Sequence, residues 1–147
     1  MIKAGIGKSL LLVAVAISVV AILAACGSRT ANTVSTGTPI KAVKIDTLTA
    51  TLSNSTGQLK QGDQEVTLSF TDASGKPVDV GAVSLNFYMP QMGSMTAMND
   101  AVTFTTTSTP GVYRGKVNLG HGGEWQAQLA YEGAAGTGKT TFSVSVQ

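Results

Sequence analysis

The strongest constraint on the fold is a period-two alternation of apolar and polar residues, which recurs from about residue 46 to residue 147. In the clearest run, every second residue is large and apolar: Val83, Leu85, Phe87 and Met89. Successive side chains of a β-strand point to opposite faces, so this spacing is typical of strands that bury one face. Since no run has the 3.6-residue period of an amphipathic helix, the region is predicted to be all-β.

The predicted strands are short, and turn-forming residues separate them. About seven runs occur, each bounded by Gly, Pro, Asn, Asp or Ser, as in residues 72–77 and in Thr109-Pro110-Gly111. A segment of about 100 residues is large enough to bury a core of its own. This pattern predicts one domain over residues 46–147, folded as an immunoglobulin-like antiparallel β-sandwich. A small closed barrel is the main alternative.

The N-terminus has the pattern of an export signal. Two lysines in the first eight residues precede an apolar run at residues 10–25, with no acidic residue before Cys26. A basic start, a short apolar segment and small residues before a cleavage point are typical of a secretory signal. Leu23-Ala24-Ala25-Cys26 also resembles the bacterial lipoprotein signal box, so we predict a signal peptide at residues 1–25 and lipidation of Cys26. The alternative is an uncleaved anchor, although a spanning helix needs roughly 20 apolar residues.

The predicted lipid places the domain in the cell envelope, attached to a membrane through its N-terminus. Cys26 is the only cysteine, so no internal disulfide can form. Residues 26–45 then comprise the lipidated cysteine and a polar segment without apolar periodicity, which predicts a flexible linker. Gly27 differs from the aspartate that, by resemblance, often holds lipoproteins at the inner membrane. We therefore predict a periplasm-facing outer-membrane anchor, or the outer face of the cell membrane where there is only one.

The charge balance argues against one class of partner. The full chain has ten Lys and Arg residues and eight Asp and Glu residues. Lys3 and Lys8 leave with the signal peptide, so the mature chain keeps eight residues of each sign and has no formal net charge. Because no basic stripe remains, nucleic acid is not predicted as a partner.

Catalytic motifs are absent or stand in the wrong context. His121 is the only histidine, and the sequence contains no Gly-x-Ser-x-Gly nucleophile motif. Residues 133–140 match the phosphate-loop pattern Gly-x4-Gly-Lys-Thr. However, the alternation at residues 140–146 predicts a strand where a phosphate loop requires a helix, so this segment is predicted to be a hairpin turn. We therefore predict that the protein is not an enzyme.

The main functional signal is a cluster of methionines. Four of the five in the chain lie within ten residues: Met89, Met92, Met95 and Met98. Pro90 and Gly93 interrupt the segment, so a helical stripe is not expected. Met89 continues the preceding alternation towards the core, whereas the other three lie in the following loop. Thioethers that converge on one point make a soft, uncharged site suited to Cu(I). The alternative is that these side chains fill an edge of the core.

His121 lies in a glycine-rich turn between two predicted strands, Leu119-Gly120-His121-Gly122-Gly123. A neutral imidazole is able to complete a set of soft ligands. If this turn lies at the same end of the sandwich as the methionine loop, a Met/His site results; otherwise His121 is an exposed turn residue. Trp125, four residues further on, is predicted to anchor the core between the sheets.

Three motifs carry a resemblance to a known family: Met89-Pro90-Gln91-Met92 at a strand end, Gly111-Val112-Tyr113 at a later turn and Gly123-Glu124-Trp125 after that. With them, residues 46–146 resemble the YtkA-like domain, which is related to FixH-like proteins. The resemblance implies an immunoglobulin-like sandwich in the cell envelope, and a role in copper handling, copper supply to haem-copper oxidases or heavy-metal efflux. Met89, Met92 and Met95 match the family pattern. Met98 matches it less firmly, and His121 stands where relatives often have a methionine.

These patterns together predict a lipid-anchored envelope protein that binds copper, as Cu(I), for delivery or tolerance. The predicted ligands are Met89, Met92, Met95, Met98 and His121. The expected partners are the membrane, through the lipid, and a copper-dependent or metal-efflux membrane protein. The alternative function is a non-metal interaction module of an envelope complex, with the methionine loop as an adaptable apolar contact.

Overall fold

Nine β-strands make up residues 37–147, the part of the protein that the computed structural model describes. This range contains no helix, and therefore none long and apolar enough to cross a membrane. The predicted signal peptide at residues 1–25 and the predicted lipidation site at Cys26 lie outside the described residues. The strands are β1 (Thr38–Ile45), β2 (Leu48–Asn54), β3 (Gly62–Thr71), β4 (Ala82–Met89), β5 (Met98–Ala101), β6 (Thr103–Thr106), β7 (Val112–Leu119), β8 (Gly123–Gly133) and β9 (Gly136–Val146).

The strands form two sheets that pack as a sandwich. One sheet has five strands in the order β1-β2-β3-β7-β6, and the other has four in the order β5-β4-β8-β9. All strand pairs within the two sheets are antiparallel. The prediction of an all-β antiparallel sandwich is therefore confirmed. The pairings of β3 with β7 and of β4 with β8 join distant parts of the chain, as in immunoglobulin-like folds.

The core consists of side chains that the period-two alternation assigned to the inner face. On β4, Leu85, Phe87 and Met89 are each at most 1 % exposed, whereas the residues between them are half-buried. The inner faces of β3 and β8 follow the same rule. The largest fully buried side chains are Trp125, Phe70, Phe87, Leu52, Leu59, Leu68, Leu85, Met89, Leu119, Leu129, Val66 and Val80.

Aromatic side chains contribute to the core between the two sheets. Trp125 is completely buried, which confirms the predicted anchor between the sheets. Phe70 packs edge-on against Tyr113 and Tyr131, with ring centroids 6.1 and 5.6 Å apart. The aromatic quadrupole favours this T-shaped geometry over face-to-face stacking.

The first strand lies in a segment that was predicted to be a linker. β1 pairs with β2 from Thr38↔Asn54 to Ile45↔Leu48, so the folded domain begins before residue 46. The linker prediction is wrong for residues 38–45. The sequence pattern did not reveal β1 because it is an edge strand in which only Ile45 is fully buried. Such a strand lacks a regular apolar face, and Lys41 and Lys44 are the kind of charges that protect an exposed sheet edge.

The chain changes sheets between β5 and β6, and this adds a strand to the predicted number. β5 pairs with β4, whereas β6 pairs with β7 in the other sheet. The half-buried Val102 lies at the change, and its amide donates to the carbonyl oxygen of Leu85 at 2.9 Å. Gly115 on β7 leaves room for this crossing. A Cβ atom there would collide with Val102 and lie only 2.7 Å from the Phe104 ring.

The glycine-rich segment at residues 133–139 belongs to a β-hairpin. β8 and β9 stay in register from Gly123↔Val146 to Gly133↔Gly136. β9 runs through residues 136–146, so a strand follows where a phosphate loop needs a helix. The predicted hairpin turn is confirmed.

Candidate metal-binding site

The four clustered methionines form two cross-strand pairs on the hairpin that joins β4 and β5. Met89, the last residue of β4, lies opposite Met98, the first residue of β5. Met92 lies opposite Met95 in an isolated antiparallel bridge nearer the tip. Met98 therefore belongs to a strand, although the sequence placed it in a loop. We call the segment from Met89 to Met98 the methionine hairpin.

A tight two-residue turn, Gly93-Ser94, forms the tip of the methionine hairpin. The Met92 amide donates to the Met95 carbonyl oxygen at 3.3 Å, and the Met95 amide donates to the Met92 carbonyl oxygen at 3.0 Å. Gly93 has a φ of 58°, and glycine at the first central position is the signature of a type II′ turn. Directly opposed residues of an antiparallel pair project to the same side, with Cβ atoms about 4.5–5.5 Å apart. The backbone thus places the two side chains side by side at their Cβ atoms, close enough for their thioethers to meet at one ion.

The two methionine pairs differ sharply in exposure. Met89 is 1 % exposed and belongs to the core, and the half-buried Met98 packs against the same core. Met92 is 55 % exposed and Met95 is 37 % exposed, and these two are the exposed large hydrophobic residues of the described chain. The expectation that Met89 faces the core is confirmed. A ligand from solvent reaches the Met92–Met95 pair directly, whereas the buried Met89 is closed to solvent.

The His121 turn lies at the same end of the sandwich as the base of the methionine hairpin. A Cβ atom on Gly123, the first residue of β8, would lie 3.2 Å from the Met89 methyl carbon. His121 is exposed, and its carbonyl oxygen accepts a hydrogen bond from the Trp125 indole nitrogen at 3.0 Å. The Gln61 side-chain amide nitrogen donates a hydrogen bond to the neighbouring Gly120 carbonyl oxygen at 2.8 Å. These bonds fix the backbone of the turn and leave the imidazole facing solvent.

The donor chemistry of this end favours a soft cation. Within residues 37–147, no group of three or more His, Cys, Asp or Glu side chains is placed to hold an ion. Sites for Mg²⁺ and Ca²⁺ are built from oxygen ligands, so this arrangement does not fit them. Two adjacent thioethers with an imidazole at the same end fit Cu(I) instead, since sulfur ligands select it and neutral donors suffice.

Among the described residues, the groups with altered pKa values lie away from the methionine hairpin. Asp72 and Asp79 belong to the β3–β4 connection, and Tyr113 lies on β7, where burial and its bond to Asp79 raise its pKa. Hydrogen bonds from the Gly81 amide and the Tyr113 hydroxyl, at 2.9 and 3.0 Å, lower the pKa of the Asp79 carboxyl. Bonds from the Ser74 hydroxyl and the Lys76 amide lower the pKa of Asp72 in the same way. These carboxylates brace a loop, a role that the sequence did not reveal.

The turn at the hairpin tip was predictable from a sequence signal other than strand alternation. Gly-Ser between two candidate strands is one of the two-residue combinations that predict a β-hairpin with a type II′ turn. Applied at Gly93-Ser94, that rule pairs Met92 with Met95. The proximity of His121 has no comparable signal, because it depends on the pairing of β4 with β8.

Comparison with known proteins identifies a family. Curated protein sequences give no match to this chain. The family model for YtkA-like proteins matches residues 42–130, which run from within β1 to within β8. The match covers more than half of the chain and includes both the methionine hairpin and the His121 turn. The protein therefore belongs to the YtkA-like family.

Proposed function

We propose that this protein is a lipid-anchored component of the cell envelope that binds copper, as Cu(I), at the tip of the methionine hairpin. The observation that carries the proposal is the backbone-paired, solvent-exposed couple of Met92 and Met95. Its family membership and the export signal in its sequence support the location. The anchor is Cys26, lipidated after removal of residues 1–25.

The exposure of the tip supports a ligand role over a packing role. Apolar side chains that serve packing are normally buried, as Met89 is at 1 % exposure. Met92 and Met95 instead stand in solvent at a turn that already satisfies its backbone hydrogen bonds. Thioethers stay uncharged and bind soft ions without deprotonation, so the tip is able to bind Cu(I) without a thiolate or a carboxylate.

Met92 and Met95 supply two donors, and further donors lie at the same end of the domain. Met98 is half-buried at the base of the hairpin, and His121 is exposed on the adjacent turn. We propose that one of them completes the site, while Met89 stays in the core and binds no metal. A site without thiolates exchanges its ion readily, which suits a carrier that delivers copper to a membrane partner or holds it away. We propose no catalytic role.

Cu(I) titration of the processed protein, in competition with a chromogenic Cu(I) chelator, tests the proposal. Wild type is expected to withdraw one equivalent from the chelator, and the Met92→Leu/Met95→Leu variant is expected to lose at least tenfold in affinity. Met89→Leu is the matched control, because it removes a thioether from the core and keeps the exposed pair. His121→Gln and Met98→Leu identify the further ligand. Equal metal uptake by wild type and the double variant would exclude the tip as the site.

A second candidate function is a non-metal interaction module. The same exposure of Met92 and Met95 favours it, because flexible thioether side chains make adaptable apolar contacts. In this case Met92→Leu/Met95→Leu preserves capture of a partner from envelope extracts, and added copper changes nothing. Loss of capture in the leucine variant, together with a requirement for copper, favours the metal site.

A further inference from the structure

The sulfur atoms of the folded domain differ in their access to oxidants. The single cysteine of the chain is residue 26, so residues 37–147 contain no thiol and methionine supplies all of their sulfur. Met92 and Met95 are 55 % and 37 % exposed, whereas Met89 is 1 % exposed. Met98 is half-buried and packs against the core. Susceptibility to oxidation follows exposure, so the tip pair is the first sulfur that an oxidant meets.

We infer that Met92 and Met95 form a reversible oxidation site whose modification switches off metal binding and leaves the domain folded. The oxidant is a two-electron oxygen donor such as hydrogen peroxide or hypochlorous acid. With peroxide, a sulfur lone pair takes one oxygen atom as the O–O bond breaks. The thioether becomes a sulfoxide through a two-electron oxidation, and the peroxide is reduced to water.

The fold tolerates this change because backbone bonds build the tip. The two hydrogen bonds between Met92 and Met95 use amides and carbonyls, and no side-chain atom of either residue takes part. A sulfoxide oxygen on either side chain points into water, which satisfies it. At Met89 the same oxygen would be buried among apolar side chains without a partner, which is strongly unfavourable. Burial of Met89 therefore protects the core while the tip reacts.

The effect on metal binding rests on the proposed function. Cu(I) prefers a soft sulfur lone pair, and a sulfoxide offers a hard oxygen in its place. Oxidation of both members of the pair removes the two donors that the structure presents to solvent. Methionine sulfoxide reductases reverse the modification, so the site is able to recover.

The test treats the processed, lipidated protein in detergent with hydrogen peroxide and follows each methionine by peptide mass spectrometry. We expect Met92 and Met95 to gain oxygen at least about tenfold faster than Met89. Thermal unfolding, followed through Trp125 fluorescence, is expected to keep its midpoint when only the tip is oxidised. Oxidation of Met89 at the rate of Met92, or a midpoint that falls as the tip reacts, would overturn the inference.

Variants separate this inference from the proposed function. Met92→Leu/Met95→Leu is expected to lose the two rapid oxidation events, and Met89→Leu is expected to keep them. Selective tip oxidation in a protein that binds no Cu(I) beforehand supports the oxidation site and overturns the copper proposal. Equal Cu(I) affinity before and after tip oxidation overturns the switch and shows that copper binds through ligands other than the tip pair.

Discussion

Shortening Met89 to alanine separates the structural methionine from the exposed pair. At 1 % exposure, the Met89 side chain has lost nearly all contact with water. Burial of a methionine side chain contributes about 1.5–3 kcal/mol. The cavity left by truncation raises the total cost of Met→Ala to about 2–5 kcal/mol. The Met89 methyl carbon reaches the backbone at Gly123, which has no side chain to move into the vacated space, so we expect about 3 kcal/mol.

Trp125 provides the assay, because it is the only tryptophan and is fully buried in the native protein. Urea unfolding followed by its fluorescence gives the free energy of unfolding for each variant. Met89→Leu keeps volume and apolar character, so its cost is expected to stay below about 1.5 kcal/mol. Met92→Ala, at an exposed position, is expected to change stability by less than about 0.5 kcal/mol. If Met89→Ala lowers the free energy of unfolding by less than about 1 kcal/mol, or if Met89→Ala and Met92→Ala lower it equally, the assignment of Met89 to the core and Met92 to the surface is refuted.

Three further predictions concern the turn, the sheet crossing and pH. Gly93→Val is expected to weaken Cu(I) binding in the chelator titration. A β-branched residue at a φ of 58° costs about 1–3 kcal/mol of backbone strain, which disrupts the turn that pairs Met92 with Met95. Gly115→Val fills the space under the sheet crossing and is expected to lower the free energy of unfolding in urea by about 1–3 kcal/mol or more. The lowered pKa of Asp79 means that its contribution to stability is complete above its ordinary value of 3.8 and is lost as pH falls through the folded-state value. Tyr113→Phe removes one of the hydrogen-bond donors to Asp79, so the free energy of unfolding in urea should depend less on pH below about 4. An unchanged pH dependence in that range would contradict the role assigned to Asp79.

The fold was largely predictable because strand periodicity is local. Every second residue of β4 faces the core, and that pattern is visible in the sequence without knowledge of the partner strands. β1 escaped prediction because an edge strand buries little and derives its order from backbone pairing with β2. The division between β5 and β6 also escaped, since Thr103 and Phe104 continue the apparent alternation although the chain has changed sheets.

The candidate site was predictable in composition but not in geometry. Spacing identifies four methionines, and alternation assigns Met89 to the core. The separation of the other three into a half-buried Met98 and an exposed pair depends on where the hairpin turns. Proximity of the His121 turn depends on β8 lying beside β4, a contact between residues about forty positions apart that no local pattern encodes.

The register of the methionine hairpin bears on the choice between a metal site and an adaptable contact. Two residues lie between Met89 and Met92 on one arm of the hairpin, and two lie between Met95 and Met98 on the other, so the two arms have equal length up to the tip. Donors held in place before binding lose less conformational entropy when they capture an ion. A promiscuous apolar contact benefits from freedom to repack. Amide hydrogen exchange distinguishes the two: a preorganised site shows protected Met92 and Met95 amides that Cu(I) changes little, whereas rapid exchange at both amides would favour the adaptable surface.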